Sequence, residues 1–302
     1  MTKAKITAVV LTKNEEERLP KCLASLSWVD QILVIDDFSS DETIKVGIEF
    51  GAKVYQKRLV DFQSQRNYVL KKVKTPWVLF IDADEEVPNE LRKEITSAIK
   101  KKEFAGFYFP RRNIIFGKWI EHSGWYPDYQ LHLFKTDKGK YVGKVHETVE
   151  VKGKVGYLKS YLLHQNYQTI SQYLEKLGHY TTLSAKSAIE SGHEFKPQDL
   201  IKKPAEEFFK RFFAEEGYKD GLHGLALALL QAFSELIFYL KVWEKQGFKE
   251  VKKERFLEKV EKELVKIGEE LRHWFLTSRI SEESNFLKRA ALKIKRRLGR
   301  IL

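Results

Sequence analysis

Three short apolar runs, rich in β-branched residues, each end directly in a polar, acidic cluster. Ile6–Leu11 precedes Thr12-Lys13-Asn14-Glu15-Glu16, Gln31–Ile35 precedes Asp36-Asp37, and Trp77–Ile81 precedes Asp82-Ala83-Asp84. Such unbroken apolar runs fit strands buried on both faces, which belong to parallel sheets covered by helices. The segments between them have helical spacing: Glu15–Ser27 (Leu19, Cys22, Leu23 and Leu26 on one side), Asp41–Phe50, Phe62–Lys72 and Asn89–Lys101. Ala52–Tyr55 adds a short strand. The predicted class is α/β, a mostly parallel central sheet flanked by helices. The 302 residues make one large or two modest domains, and 43% hydrophobic with 13% aromatic content excludes a disordered or fibrous chain. Cys22 is the only cysteine, which excludes an intramolecular disulfide and a cysteine-cluster zinc site. The Ile6–Leu11 run is too short and wrongly flanked for a signal peptide or a membrane span.

After Phe104 the pattern changes. Gly106–Pro110, Tyr129–Phe134, Lys144–Val151 and Val155–Leu163 read as strands without regular helices between them, the mixed second half of the same domain. From Ile170 onward the pattern is almost wholly helical. The expected division is a catalytic domain over residues 1–168 and an α-helical C-terminal region over 169–302.

Open α/β sheets bind ligands outside the carboxyl ends of their strands, so the three polar clusters are expected to converge on one crevice. Side chains two apart on an extended segment point the same way. Asp82 and Asp84 would then face a hard divalent cation and the ribose or diphosphate beside it. Mg²⁺ or Mn²⁺ there neutralises a diphosphate leaving group as its charge develops. A solvated turn is the competing explanation of a lone D-x-D. Helix capping by Ser40 or Asp41 does not explain two consecutive acids at Asp36-Asp37, where a carboxylate can accept a hydrogen bond from a nucleobase N–H.

In this order the motifs (strand, Thr12-Lys13-Asn14-Glu15-Glu16; strand, Asp36-Asp37-Phe38-Ser39-Ser40-Asp41; Gln65-Arg66-Asn67; strand, Asp82-Ala83-Asp84) resemble family 2 glycosyltransferases with the GT-A nucleotide-diphospho-sugar transferase fold. The resemblance covers about residues 4–165. Trp125-Tyr126-Pro127-Asp128-Tyr129-Gln130 and Val145-His146-Glu147 are similar to the lipopolysaccharide-core branch, which includes β-1,4-glucosyltransferases. The resemblance implies a nucleotide diphospho-sugar donor, UDP-sugar favoured, and a Mg or Mn cation. It implies that Thr12, Asn14 and Glu15 line the nucleobase and ribose, that Asp37 contacts the base, and that Arg66 and Asn67 lie near the nucleotide. Asp82 would sit by the ribose and diphosphate, with Asp84 as metal ligand. Phe38 departs from the family, since many relatives carry Gly there and Gly tolerates positive φ. No Q-x-x-R-W motif is present, which argues against a processive synthase.

An inverting transfer needs a carboxylate to take the acceptor hydroxyl proton. Asp128 is the first candidate and Glu147 the second. His146 is a candidate additional metal ligand, with a hydrogen-bonded structural role as the alternative. Trp119, Trp125 and Tyr126 suit an acceptor platform, against ordinary core packing.

Leu222–Leu240 is apolar and nearly long enough for a membrane span, but His223, Gln231, Ser234 and Glu235 interrupt it and favour a buried or interfacial helix. Phe208, Phe209, Phe212 and Phe213 fit either a membrane-facing element or packing. The net charge is +12, and the last 17 residues hold seven Lys or Arg and no acid. There Leu287, Ala290, Ala291, Ile294, Leu298 and Ile301 form one helical stripe, a basic amphipathic tail over 286–302. It suits an anionic membrane surface, with a self-association seam and nucleic acid as alternatives; no nucleic-acid recognition fold accompanies the charge.

The expected activity is transfer of a sugar, glucose favoured, to a hydroxyl of a lipid-linked glycan such as lipopolysaccharide core. The expected location is peripheral, on the inner face of the cytoplasmic membrane. A nucleotidyltransferase would share the architecture but would want a Gly-rich basic phosphate loop, which Lys13-Asn14-Glu15-Glu16 does not supply. A non-enzymatic basic membrane- or nucleic-acid-binding module would bind no nucleotide sugar.

Overall fold

The computed structural model describes residues 5–59, 61–143, 148–250 and 255–298. They form two compact units, one running to Trp119 and resuming over Trp125–Asn166, the other holding Ile120–Gly124 and the chain from Tyr167.

The first unit contains, in chain order, β1 (Ile6–Thr12), α1 (Leu19–Ser25), β2 (Gln31–Asp36), α2 (Thr43–Glu49), β3 (Lys53–Gln56), α3 (Phe62–Leu70), β4 (Trp77–Asp82) and β5 (Glu85–Glu86). It continues with α4 (Asn89–Ala98), β6 (Phe104–Ile115), β7 (Lys118–Trp119), β8 (Asp128–Lys135), β9 (Gly139–Val142), β10 (Thr148–Val151), β11 (Lys154–Tyr157) and β12 (Leu162–Gln165). The main sheet runs β3-β2-β1-β4-β8-β6-β12-β5, with β7 and β11 also on β6. Its first four strands are parallel; β8 then enters antiparallel to both β4 and β6. The carboxyl ends of β1, β2 and β4 therefore lie along one edge, with Thr12 beside Asp36 and Leu11 beside Asp82 in the pairing.

The apolar strands are buried on both faces. Ala8, Val10, Leu79 and Ile81 share a core with Leu19 and Leu23 of α1 and Leu91 and Ile95 of α4. Val9, Val78 and Phe80 pack with Val69, Val73, Phe134 and Tyr141 on the other side. Each fully buried aliphatic side chain contributes about 1.5–3 kcal/mol.

Several boundaries differ from the sequence expectation for local reasons. Helix α1 begins at Leu19 instead of Glu15, because Pro20 has no N–H and belongs in a first turn. The strand expected over Val155–Leu163 is two, β11 and β12. Between them the Glu94 carboxylate accepts the N–H groups of Lys159 (3.0 Å) and Ser160 (2.8 Å), taking both out of the ladder. Of the strand expected over Lys144–Val151, residues 144–147 lie outside the described residues and the remainder is β10, paired with β9. A bulge in β8 moves the partner of β6 from Leu133 to Leu131, leaving His132 as the extra residue.

The second unit is helical: α5 (Ile170–Glu190), α6 (Asp199–Phe209), α7 (Leu222–Lys245), α8 (Phe256–Glu282) and α9 (Phe286–Leu298). Thr169 caps α5 by accepting the Gln172 N–H at 3.2 Å. Helix α7 is apolar and long enough to cross a membrane by length and composition. It packs on α5, where Gln231 Nε2 donates to the Tyr173 hydroxyl (2.9 Å) and Lys241 Nζ to the Gly178 carbonyl (2.7 Å). Leu227, Ala228 and Val242 are buried, whereas Leu222, Leu229 and Phe233 are exposed. Phe209 and Phe213 are buried within this unit, Phe213 against Trp274 and Phe275 of α8, which fits packing and not a membrane-facing pair. Arg211 donates to the Ser123 carbonyl at 2.7 Å, and Asp220 accepts the His122 N–H at 2.9 Å, so both anchor the Ile120–Gly124 segment.

Candidate active site

The loops after β1 and β2 are stapled together. Thr12 is buried, with its hydroxyl 3.3 Å from Asp36 Oδ1, and its carbonyl accepts the Asp37 N–H. Asn14 donates its N–H to the Ser39 hydroxyl (2.8 Å) and accepts the Ser40 N–H on Oδ1 (2.9 Å). Glu15 donates its N–H to Thr43, and its carboxylate lies 3.5 Å from Arg18. The two acids at the end of β2 divide their work. Asp36 is buried and accepts the Ser39 N–H and hydroxyl, holding the turn. Asp37 is partly exposed and accepts the Leu59 N–H at 2.9 Å on one oxygen. Phe38 adopts φ +54°, the left-handed region that favours glycine, and its half-exposed ring lies 4.8 Å below the Arg58 guanidinium.

The expectation that Asp82 and Asp84 project together from an extended segment is corrected. Strand β4 stops at Asp82, and Ala83-Asp84 is a turn leading into β5. The turn is closed by the Asp82 N–H donating to Glu85 Oε2 at 2.9 Å. The two carboxylates consequently have different neighbours. Asp82 lies 3.6 Å from Arg66, whose guanidinium also stacks on Tyr141 at 5.2 Å. Asp84 lies between Arg18 (3.8 Å) and His164 Nε2 (3.6 Å).

His164, at the end of β12, was not singled out by the motif pattern, although a histidine closing the apolar Leu162-Leu163 pair is a visible signal. Asn113 donates from Nδ2 to the Trp125 carbonyl (2.7 Å), so its Oδ1 faces His164 Nδ1, also at 2.7 Å. Nδ1 donates to that oxygen, and Nε2 is directed to the side of Asp84. A carboxylate and an imidazole nitrogen together are a donor set that can hold a divalent cation such as Mn²⁺. Among the described residues no group of three or more His, Cys, Asp or Glu side chains could hold a metal. A Mg²⁺-type site does not require one, because substrate phosphates and waters complete it. His146 and Glu147 lie outside the described residues.

Asp128 opens β8 directly opposite Arg111 of β6. Arg111 donates to its Oδ2 from Nε (2.7 Å) and from the terminal nitrogen (2.5 Å), and Gln130 donates to Oδ1 at 2.7 Å. The third Arg111 nitrogen lies 3.6 Å from the fully buried Glu85 Oε1. Glu85 thus reaches both the Asp82 N–H and the arginine that orients Asp128. Burial, then the Asp82 carboxylate, push Glu85 well above the usual carboxylate range, with Arg111 opposing. Burial disfavours charge on Arg111 too, but Glu85 and Asp128 outweigh it and raise its pKa. His132, brought in by the bulge, stacks on Phe109 at 5.4 Å; burial, then Arg111, push it down to about 3.

Asn67 and Trp119 also have partners within the protein. Asn67 spends both ends of its amide on the Tyr141 backbone, donating to the carbonyl (2.8 Å) and accepting the N–H (3.0 Å). Trp119 is stacked under Arg112 at 3.7 Å, with Tyr161 on that guanidinium at 3.9 Å and Tyr126 edge-on to Trp119 at 5.5 Å.

The chain is 26% identical over 256 residues to the lipopolysaccharide core biosynthesis glycosyltransferase LpsC of Rhizobium meliloti, covering 82% of this chain and 95% of that one. It is 24% identical over 254 residues to the uncharacterized glycosyltransferase RT0209 of Rickettsia typhi, covering 80% and 87%. Among solved structures, S. aureus TarS 1–349 aligns over 80% of this chain and 92% of that one, at 15% identity and a TM-score of 0.41. The family model for glycosyl transferase family 2 matches residues 7–163, more than half of the chain and the whole span of the motifs above. With its GT-A fold, this chain is a glycosyltransferase that belongs to glycosyl transferase family 2.

Proposed function

We propose that the enzyme transfers a hexose, glucose favoured, with inversion from a nucleotide diphospho-sugar, UDP-sugar favoured, to a hydroxyl of a lipid-linked glycan such as lipopolysaccharide core. The similarity to the lipopolysaccharide core glycosyltransferase LpsC supports the acceptor class and a setting on the cytoplasmic side. The observation that carries the chemistry is the pairing of Asp84 with His164 Nε2, together with an Asp128 held by Arg111, the arginine that also meets Glu85.

Asp84 and His164 would hold Mg²⁺ or Mn²⁺, which supplies charge neutralisation for the departing diphosphate. Asp37 has lone pairs remaining for a nucleobase N–H, and Thr12, Asn14 and Glu15 line the same loop pair. Arg66 beside Asp82 adds positive charge on the diphosphate side. Arg111 and Gln130 fix the Asp128 carboxylate while leaving Oδ1 able to accept a further hydrogen bond. The acceptor oxygen bonds to the anomeric carbon, the bond from that carbon to the diphosphate oxygen breaks, and the hydroxyl proton passes to Asp128.

Asp128→Asn keeps the size and the hydrogen-bonding oxygen but removes the base. Its kcat is expected to fall by about 10²–10⁴-fold with the donor Kd little changed. If Glu147→Gln shows that pattern and Asp128→Asn does not, the base is Glu147.

A further inference from the structure

Helix α9 turns its apolar stripe away from the protein. It folds back on α8 through Arg289, Leu292 and Arg296, all partly buried. Arg296 donates to Thr277 Oγ1 of α8 at 3.2 Å, and Arg289 Nε to the Glu283 carbonyl at 2.7 Å. At 100° per residue, Leu287, Ala291 and Ile294 lie roughly 165° around the helix from that contact line. Leu287 is 76% and Ile294 59% exposed, and Phe286 at the start of the helix is 80% exposed. Lys288 and Lys295 flank the stripe on one side, Lys293 and Arg297 on the other, and α9 contains no acid.

A surface helix normally does the reverse, putting its apolar stripe on the core and its charges in water. Here two arginine stems with Ala290 and Leu292 make the partly buried face, so the stripe of Leu287, Ala291 and Ile294 needs a different partner. A second copy would set two cation-flanked stripes against each other with no acid in either helix, which is repulsive. Nucleic acid would satisfy the cations and leave the leucine and isoleucine in water. An anionic lipid surface satisfies both, taking the apolar stripe below the headgroups and the cations at their level.

We propose that α9 is a docking element for an anionic lipid surface. The proposal supplies a partner surface for the reaction above. It stands on α9 alone, so vesicle binding and sugar transfer can fail separately.

The test is flotation of the full chain with vesicles of phosphatidylcholine alone or with about 30% phosphatidylglycerol. Binding is expected only to the anionic vesicles, weakening as salt rises. Lys288→Gln/Lys295→Gln/Arg297→Gln should bind on the order of a hundredfold more weakly. Leu287→Glu/Ile294→Glu should not float, with an unchanged circular-dichroism spectrum and melting temperature. The proposal is overturned by equal or absent binding to the two vesicle types. It is equally overturned by a folded double-Glu variant that floats normally, by a dimer that this variant dissolves, or by tighter binding of duplex DNA than of vesicles.

Discussion

Glu85 is a carboxylate without access to water, next to the turn that carries Asp84, and it touches the arginine that orients Asp128. Glu85→Gln preserves shape and the acceptor for the Asp82 N–H but replaces the carboxyl group facing Arg111 with an amide. Its kcat is expected to fall at least tenfold with the donor Kd within a few-fold of wild type, as measured by steady-state kinetics and calorimetry. A merely structural Glu85 would leave kcat unchanged. His132 makes a separate prediction. Its folded-state pKa of about 3 lies below the ordinary 6.5, so between those values the unfolded chain binds the extra proton. Its contribution to stability is complete above pH 6.5 and is lost as pH falls toward 3, at up to about 1.4 kcal/mol per pH unit. Denaturant titrations of His132→Gln should therefore show a shallower acid decline between pH 6.5 and 4 than the wild type.

At the scale of elements, the parallel strands were legible because burial on both faces leaves an unbroken apolar run, as in Trp77–Ile81. The polar ends of β1, β2 and β4 followed from the same pattern, and the sheet order brings them to one edge. The direction of Asp84 was not legible, because a two-residue spacing argument assumes extended backbone and Ala83-Asp84 is a turn. The bulge at His132 and the break between β11 and β12 depend on distant partners such as Glu94, which no local pattern announces. Asn67 belongs to this scale: it clips α3 to β9 through the Tyr141 backbone. Asn67→Ala leaves a buried-strand N–H and carbonyl without these partners and should lower the unfolding free energy by about 1–3 kcal/mol in urea titrations. Its kcat should stay near wild type.

Over the whole molecule, the C-terminal end of the helical unit combines unbalanced positive charge with exposed apolar side chains. Seven of the basic residues fall in the last 17 positions, and Leu222, Leu229, Phe233, Phe275, Leu287 and Ile294 are exposed in that unit. The amphipathic pattern of α9 was visible in the sequence, but its facing was not, because a stripe looks the same whether it packs inward or outward. The family was legible from the order of weak motifs, each common by chance and specific only as a set. His164 was obscured because the resemblance pointed to His146. The proposed nucleotide-sugar site is metal-dependent and built on Asp84. It is tested most directly by calorimetric titration of UDP-, GDP- and ADP-sugars, with and without Mn²⁺, into the wild type and Asp84→Ala. The predicted result is metal-dependent binding of at least one donor by the wild type and its loss in a folded Asp84→Ala. Donor binding that is indifferent to Mn²⁺ and unchanged in that variant would contradict it.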